Sequence, residues 1–152
     1  MAHVAFFLSL AACATLLALV EIQVEGGEGW AAKLPTWRID NAFTRLLMSG
    51  KPLTGYHTYL ISFVLVMTHL PFGLGLCAWS LRAEARVLSF TLFLWFVEDF
   101  LWFVINRHWG LRRFRRDQIW WHAPTWWWFM PRDYWMYSLI GSLLYSYSWG
   151  AF

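Results

Sequence analysis

The sequence predicts an all-α membrane protein with four transmembrane helices and one further helix lying along the membrane interface. Of its 152 residues, 59% are hydrophobic and only 14% are charged, which is far more apolar than an ordinary soluble domain. Three stretches without Asp, Glu, Lys or Arg also approach or exceed the ~20 residues that a spanning helix needs: residues 1–20, 52–81 and 134–152. No segment outside the apolar stretches is long enough to fold alone, so residues 1–152 are interpreted as a single membrane-embedded helical bundle.

The first predicted span covers about residues 2–21. The flank that precedes its apolar run, Met-Ala-His, contains no Lys or Arg, and no small-residue cleavage site follows the run. Both features favour a retained helix over a secretory signal. Cys13 and Cys77 are interpreted as small apolar residues within spans rather than as ligands or a disulfide.

The connection that follows predicts an interfacial amphipathic helix over about residues 36–48. Apolar residues recur at helical spacing from Ile39 to Leu47, and the opposite face carries Arg38, Asp40 and Arg45. Such a helix lies on a membrane rather than through it.

The remaining spans are predicted at about residues 57–80, 87–106 and 134–150. The middle one contains Glu98 and Asp99, and each costs roughly 2.5–3.5 kcal/mol near a helix centre on insertion scales. The surrounding Phe, Leu, Val and Trp residues can offset that cost. Two adjacent acids in an apolar run therefore indicate a functional or pairing role.

The basic residues predict the orientation. With four spans, the first and third connections share one side and hold ten of the twelve Lys and Arg residues, whereas the second holds only Arg82 and Arg86. By the positive-inside rule, the long loops are cytoplasmic and both termini are outside. The predicted location is a multi-pass integral membrane protein, in the inner membrane if the source is bacterial.

The depths of His69 and Glu98 along their predicted helices indicate that the two side chains form a buried pair. His69 lies roughly 15 Å from the outer end of the second predicted span, and Glu98 lies roughly 16 Å from the same end of the third. A carboxyl and an imidazole at one depth are each costly alone and much less so when hydrogen-bonded. The predicted catalytic residues are therefore Glu98, His69 and Asp99.

Further polar residues are predicted to form a pocket that opens to the cytoplasm. Glu98, Trp102 and Asn106 follow one another at i, i+4 and i+8 on one helix face, and Tyr137 lies on a polar stripe of the last span. Carboxylates and imidazoles are common ligands of zinc and iron, although no histidine box is present. The candidate metal ligands are Glu21, His57, Glu98, His108 and His122.

Two classes of function remain open at this stage. The favoured one is an enzyme that uses a metal ion or acid–base chemistry on a lipid-like or hydrophobic substrate. The alternative is a non-catalytic accessory subunit, or a subunit that binds a cofactor or pigment. Predicted partners are membrane lipids, a hydrophobic small molecule, and further copies of the chain or a larger membrane complex. The net charge of +3 does not indicate nucleic acid, because the basic residues lie where membrane topology needs them.

Overall fold

Five α-helices make up most of the structure, a computed structural model that describes residues 1–150. They are α1 (Ala2–Glu25), α2 (Ala42–Leu47), α3 (Gly55–Gly73), α4 (Leu81–Ile105) and α5 (Arg132–Ser148). Two short antiparallel ladders complete the fold: β1 (Arg38–Ile39) pairs with β2 (Leu53–Thr54), and β3 (Trp126–Trp127) pairs with β4 (Met130–Pro131). The prediction of a mostly helical chain is confirmed.

Contacts at the two ends of the molecule define the helix directions. At one end, the His3 ring lies 2.5 Å from the Tyr145 hydroxyl, joining the start of α1 to the end of α5. At the same end, the Arg86 guanidinium donates to the carbonyl of Ser148 (2.9 Å). At the other end, the Asn106 amide donates to the carbonyl of Gly26 (2.7 Å). Helices α1 and α4 therefore run in one direction, and α5 runs in the opposite direction.

Helix α4 is the centre of the packing, with α1 and α5 against its sides. Ala14 and Ala18 are fully buried on α1 and let its backbone approach α4, where Leu94 and Trp102 belong to the same apolar clusters. Small residues at such contacts are typical of helix pairs in membranes. Helix α3 contacts α4 over a much shorter stretch, so one side of α4 is left to a cavity.

The four predicted spans are only partly supported by the helices. Two helices, α1 and α4, are long and apolar enough to cross a membrane. Helix α5 has 17 residues, fewer than the ~20 that a span needs. Helix α3 has 19 residues, with Pro71 inside its last turn. The four-span arrangement therefore stays a prediction.

The boundaries between α3 and α4 differ from the prediction. Helix α3 ends at Gly73 rather than near residue 80, and Gly75 follows with a positive φ of 68°, a conformation that often terminates helices. Helix α4 begins at Leu81 rather than near residue 87. The Ser80 side chain accepts from the Ala83 amide (3.1 Å) and so caps the helix six residues early.

The predicted interfacial helix over 36–48 is mostly wrong. Arg38 and Ile39 belong to β1, and only Ala42–Leu47 are helical. Asn41 sets the start of α2, because its side chain accepts from the Thr44 amide (2.9 Å) and its own amide donates to the Thr44 hydroxyl (3.0 Å). This reciprocal capping satisfies the first free amides and prevents the helix from extending toward residue 36.

Two glycines after α1 provide a matched stability test. Gly26 and Gly29 share a φ of 65°, but a Cβ on Gly26 would meet nothing within 4 Å, whereas one on Gly29 would lie 2.3 Å from the Trp121 ring. We expect Gly26→Ala to lower the free energy of unfolding by about 1–2 kcal/mol through the left-handed backbone. Gly29→Ala should cost about 1–3 kcal/mol more through overpacking. Thermal unfolding of both variants measures the difference, and equal losses would contradict the close packing of Trp121 on Gly29.

Candidate functional site

A cavity of about 500 Å³ lies among α1, α3, α4 and α5, near the end of the molecule where α1 and α4 terminate. Its volume is in the range that small-molecule sites occupy. One part of its wall is apolar, formed by Leu47, Leu53, Leu60, Ile61, Leu92 and Trp95. The rest of the wall includes polar side chains from Glu21, Glu25, Lys51, His57, Glu98, Asp99, His122 and Asp133.

The two adjacent acids of α4 both line this cavity but bind different groups. Glu98 is 3% exposed and lies beside Glu21 of α1 on the cavity wall. Asp99 is rotated by ~100° around the helix and meets α5 and the preceding loop instead. One acid thus connects α4 to α1, and its neighbour connects α4 to the other side of the bundle.

Asp99 holds a histidine and a tyrosine. The His122 Nε2 atom donates to Asp99 Oδ2 (3.0 Å), and the Tyr134 hydroxyl donates to the same oxygen (2.5 Å). His122 is 3% exposed, and within residues 1–150 its Nδ1 atom has no partner. With its proton on Nε2, the ring keeps a lone pair on Nδ1. A carboxylate that orients a histidine in this way is a common arrangement for a general base.

The Glu21 and Glu98 pair has few donors around it. Glu21 accepts from the Tyr56 hydroxyl (3.2 Å), and Glu98 Oε1 has no donor among residues 1–150. Among the carboxyls that line the cavity, Glu98 is the one with a buried oxygen that has no donor in the described chain.

Lys51 is a buried cation at the cavity and was not among the predicted site residues. It is 7% exposed, its Nζ atom lies 3.7 Å from Asp133 Oδ2, and it sits over the Trp30 ring at 4.3 Å. Burial lowers the pKa of the Lys51 ammonium, and the charge of Asp133 opposes this. Ser49 and Arg132 also contact Asp133, Ser49 through its hydroxyl. In the sequence analysis, Lys51 served only as one of the loop charges that predict the membrane orientation.

Glu25 and His57 form a third polar group at the cavity, one helical turn beyond Glu21 on α1. His57 Nε2 lies 3.7 Å from Glu25 Oε1, and the Thr54 hydroxyl is 2.7 Å from the other ring nitrogen. The Ala31 amide donates to Glu25 (2.5 Å). Trp30 stacks on His57 with ring centroids 3.8 Å apart. This set holds the loop after α1 against the start of α3.

The predicted pair of His69 and Glu98 does not form. His69 Nε2 lies 3.0 Å from Glu84 Oε1, and His69 is not part of the cavity wall. The reason is the early start of α4: Glu98 lies seventeen residues beyond Leu81, so it is roughly 26 Å from that end of the helix. Glu84, in the first turn, is the acid at the level of His69.

Two further predicted residues lie outside the cavity. His108 is exposed in the loop after α4. Asn106 is 2% exposed and bridges the chain: it donates to Gly26 and accepts from the His108 amide (3.0 Å). Both polar groups of its side chain are thereby satisfied. Asn106 is a structural link between the ends of α1 and α4.

The cavity does collect the other predicted residues: Glu21, His57, Glu98, Asp99, Trp102, His122 and Tyr137. The candidate metal ligands do not form one set, however. Within residues 1–150 there is no group of three His, Cys, Asp or Glu side chains arranged to hold a metal ion. A zinc or iron ion stays a prediction without a ligand set.

The pH dependence of stability tests the buried state of His122. Burial lowers the pKa of the His122 ring, the charge of Lys51 lowers it further, and Asp99 opposes both. The unfolded chain therefore binds a proton at this residue before the folded chain does, so stability falls as pH drops through the usual histidine range. Between pH 7 and 5 the wild type should lose more stability than His122→Gln, by at most about 1.4 kcal/mol per pH unit. His3→Gln, at the opposite end of the bundle, is the control. Parallel pH profiles for wild type and His122→Gln would contradict a neutral buried His122.

No protein-family model, no curated protein and no solved structure matches this chain. The functional interpretation therefore rests on the geometry of the cavity and on the chemistry of its side chains.

Proposed function

We propose that this chain is a multi-pass membrane protein in which α1, α3, α4 and α5 cross the bilayer. The exposed surfaces of the helices support this. Large apolar side chains are exposed along α1, among them Leu8 at 66% and Leu16 at 64%, and along α3, with Phe63 at 61% and Val66 at 64%. Exposed apolar side chains of this kind along two helices fit a lipid environment.

The distribution of charge supports an orientation with both termini outside. The end of the bundle near Met1 and Ser148 carries Arg82 and Arg86, whereas the other ten Lys and Arg residues belong to the connections at the opposite end. This asymmetry favours a cytoplasmic position for the charged end. The cavity then opens near the cytoplasmic face.

The two native cysteines test this location. Cys13 is exposed midway along α1, and Cys77 is exposed in the α3–α4 loop. A membrane-impermeant maleimide added to intact cells should label Cys77, because the loop is outside, and should spare Cys13, because it faces lipid. Cys77→Ser should then remove the signal, and denatured protein should show both thiols. Labelling of Cys13 before denaturation would contradict a spanning α1, and labelling of Cys77 only after cell lysis would reverse the orientation.

We further propose that the cavity is the active site of an enzyme that performs acid–base chemistry on a hydrophobic small molecule. The observation that carries this is the Asp99–His122 pair at the cavity, with Nδ1 of His122 free of any partner in the described chain. An oriented neutral imidazole in a site of low water content is suited to proton abstraction. The apolar wall of Leu60, Ile61 and Leu92 suits a hydrocarbon rather than a polar substrate.

The roles follow from the contacts. His122 takes a proton from the substrate, and Asp99 stabilises the imidazolium that forms, with Tyr134 holding Asp99 in place. Glu98, beside Glu21 on the other side of the cavity, supplies the acid. The predicted catalytic roles of Glu98 and Asp99 are retained in this proposal, and His122 takes the place of His69.

Turnover by purified protein tests the proposal. The protein in lipid nanodiscs is incubated with a total lipid extract of the source cells, and the products are followed by untargeted mass spectrometry. Wild type should convert at least one hydrophobic species, and His122→Gln should slow that conversion by about 10²–10⁴-fold, the usual contribution of a general base. His69→Gln, which changes a histidine outside the cavity, is the matched control and should keep wild-type turnover. An extract left unchanged by wild type would favour the alternative, a non-catalytic subunit that only binds a hydrophobic molecule.

A further inference from the structure

The charged groups at the cavity are unequally matched. Five carboxyls line it, from Glu21, Glu25, Glu98, Asp99 and Asp133. Three of them have a basic partner: Glu25 faces His57 at 3.7 Å, Asp99 faces His122 at 3.0 Å, and Asp133 faces Lys51 at 3.7 Å. Glu21 and Glu98 form no ion pair with a basic side chain of residues 1–150. The polar wall can therefore accept a basic group that the described chain does not supply.

A buried charge without a partner is costly, and proteins normally neutralise it by pairing. Lys51 does not serve this purpose for Glu98, because its ammonium is held between the Asp133 carboxylate and the Trp30 ring. Glu98 Oε1 is buried without a donor, and the side chain lines the cavity. Within residues 1–150, Glu98 Oε1 therefore lacks a hydrogen-bond donor and the Glu98 carboxyl lacks a basic partner.

The aromatic groups nearby suit a cation as well. Trp102 lies one turn beyond Glu98 on α4, and Tyr137 of α5 also lines the cavity. Aromatic faces attract ammonium groups, most strongly where water is excluded. The apolar wall begins a short way along α4, with Trp95 and Leu92, so a charged head beside Glu98 leaves its tail against hydrocarbon.

We propose that the cavity takes a lipophilic amine, a molecule with one protonated nitrogen that pairs with the Glu21 and Glu98 carboxyls and a hydrocarbon tail that lies along α3 and α4. This deepens the proposed function and rests on the same cavity. On binding, the ammonium donates to Glu98 Oε1, the buried oxygen that has no donor among residues 1–150. The bound amine also brings its carbon framework within the cavity that His122 borders.

Three photoreactive probes test the proposal. They carry the same long alkyl chain with a diazirine near its end and differ only in the head: a primary amine, an alcohol or a carboxylic acid. After illumination in nanodiscs, labelled peptides are mapped by mass spectrometry. The amine should label the cavity wall, at Leu60, Ile61 or Leu92, at least about tenfold more than the other two at equal concentration in the membrane, as expected for a charge-assisted contact.

The double variant Glu21→Gln/Glu98→Gln removes both carboxyls while keeping the size of both side chains. Its labelling by the amine should fall to the level of the alcohol, whereas the alcohol should still enter. Glu84→Gln changes an acid of the same helix outside the cavity and is the control that should leave amine labelling unchanged. A cooperative thermal unfolding transition of the double variant without probe shows that the comparison is between folded proteins.

The outcomes separate this proposal from the proposed function. Stronger labelling of the wall by the alcohol or the acid would contradict the proposal that the cavity binds an amine. It would still support a cavity that takes hydrophobic molecules. Amine labelling that persists in the folded double variant also overturns it. If no probe reaches the wall, both the amine and the substrate cavity are wrong. Turnover of a hydrophobic amine that His122→Gln abolishes supports both.

Discussion

The rest of the structure depends on the cost of placing two adjacent carboxyls in the middle of an apolar helix. Glu98 and Asp99 point to different sides of α4, so no single neighbour can satisfy both. Asp99 accepts hydrogen bonds from His122 of the loop and Tyr134 of α5, while Glu98 lies beside Glu21 of α1. Each acid therefore fixes one side of the bundle relative to α4, and the space between the two sides becomes the cavity.

The long loop between α4 and α5 follows from the same requirement. It has to bring His122 back to the level of Asp99, and it does so by packing Ile119 and Trp121 against Trp102 and Phe103 of α4. Trp121 in turn closes on Gly29. The tryptophans of this segment are therefore of two kinds. Trp121 belongs to the core and is 3% exposed, whereas Trp128 lies on the surface and is 87% exposed.

The sequence predicted the apolar helices well and their ends less well. Long apolar runs report burial or lipid contact directly, so the existence of α1, α3, α4 and α5 could be read from them. The ends depend on single capping residues such as Ser80 and Asn41, and the sequence around them would also allow the helix to begin elsewhere. An error of six or seven residues at each of two ends was enough to pair His69 with the wrong acid.

The contact of Asp99 with His122 could not be predicted, because it joins a helix to a loop without periodicity. Lys51 was not predicted as a site residue, because the sequence of a loop does not show whether a single charged side chain faces water or a cavity.

Helix α3 forms one wall of the cavity through Thr58, Ile61 and Ser62, yet few contacts attach it to α4. Segments with few buried contacts open at low energetic cost. In the membrane-spanning arrangement proposed above, a molecule dissolved in the lipid would enter sideways, between α3 and its neighbours, without passing through water. For such a route the quantity that controls occupancy is the mole fraction of the molecule in the bilayer. Apparent affinities would change with the amount of lipid added to an assay, even at a constant concentration in the aqueous phase.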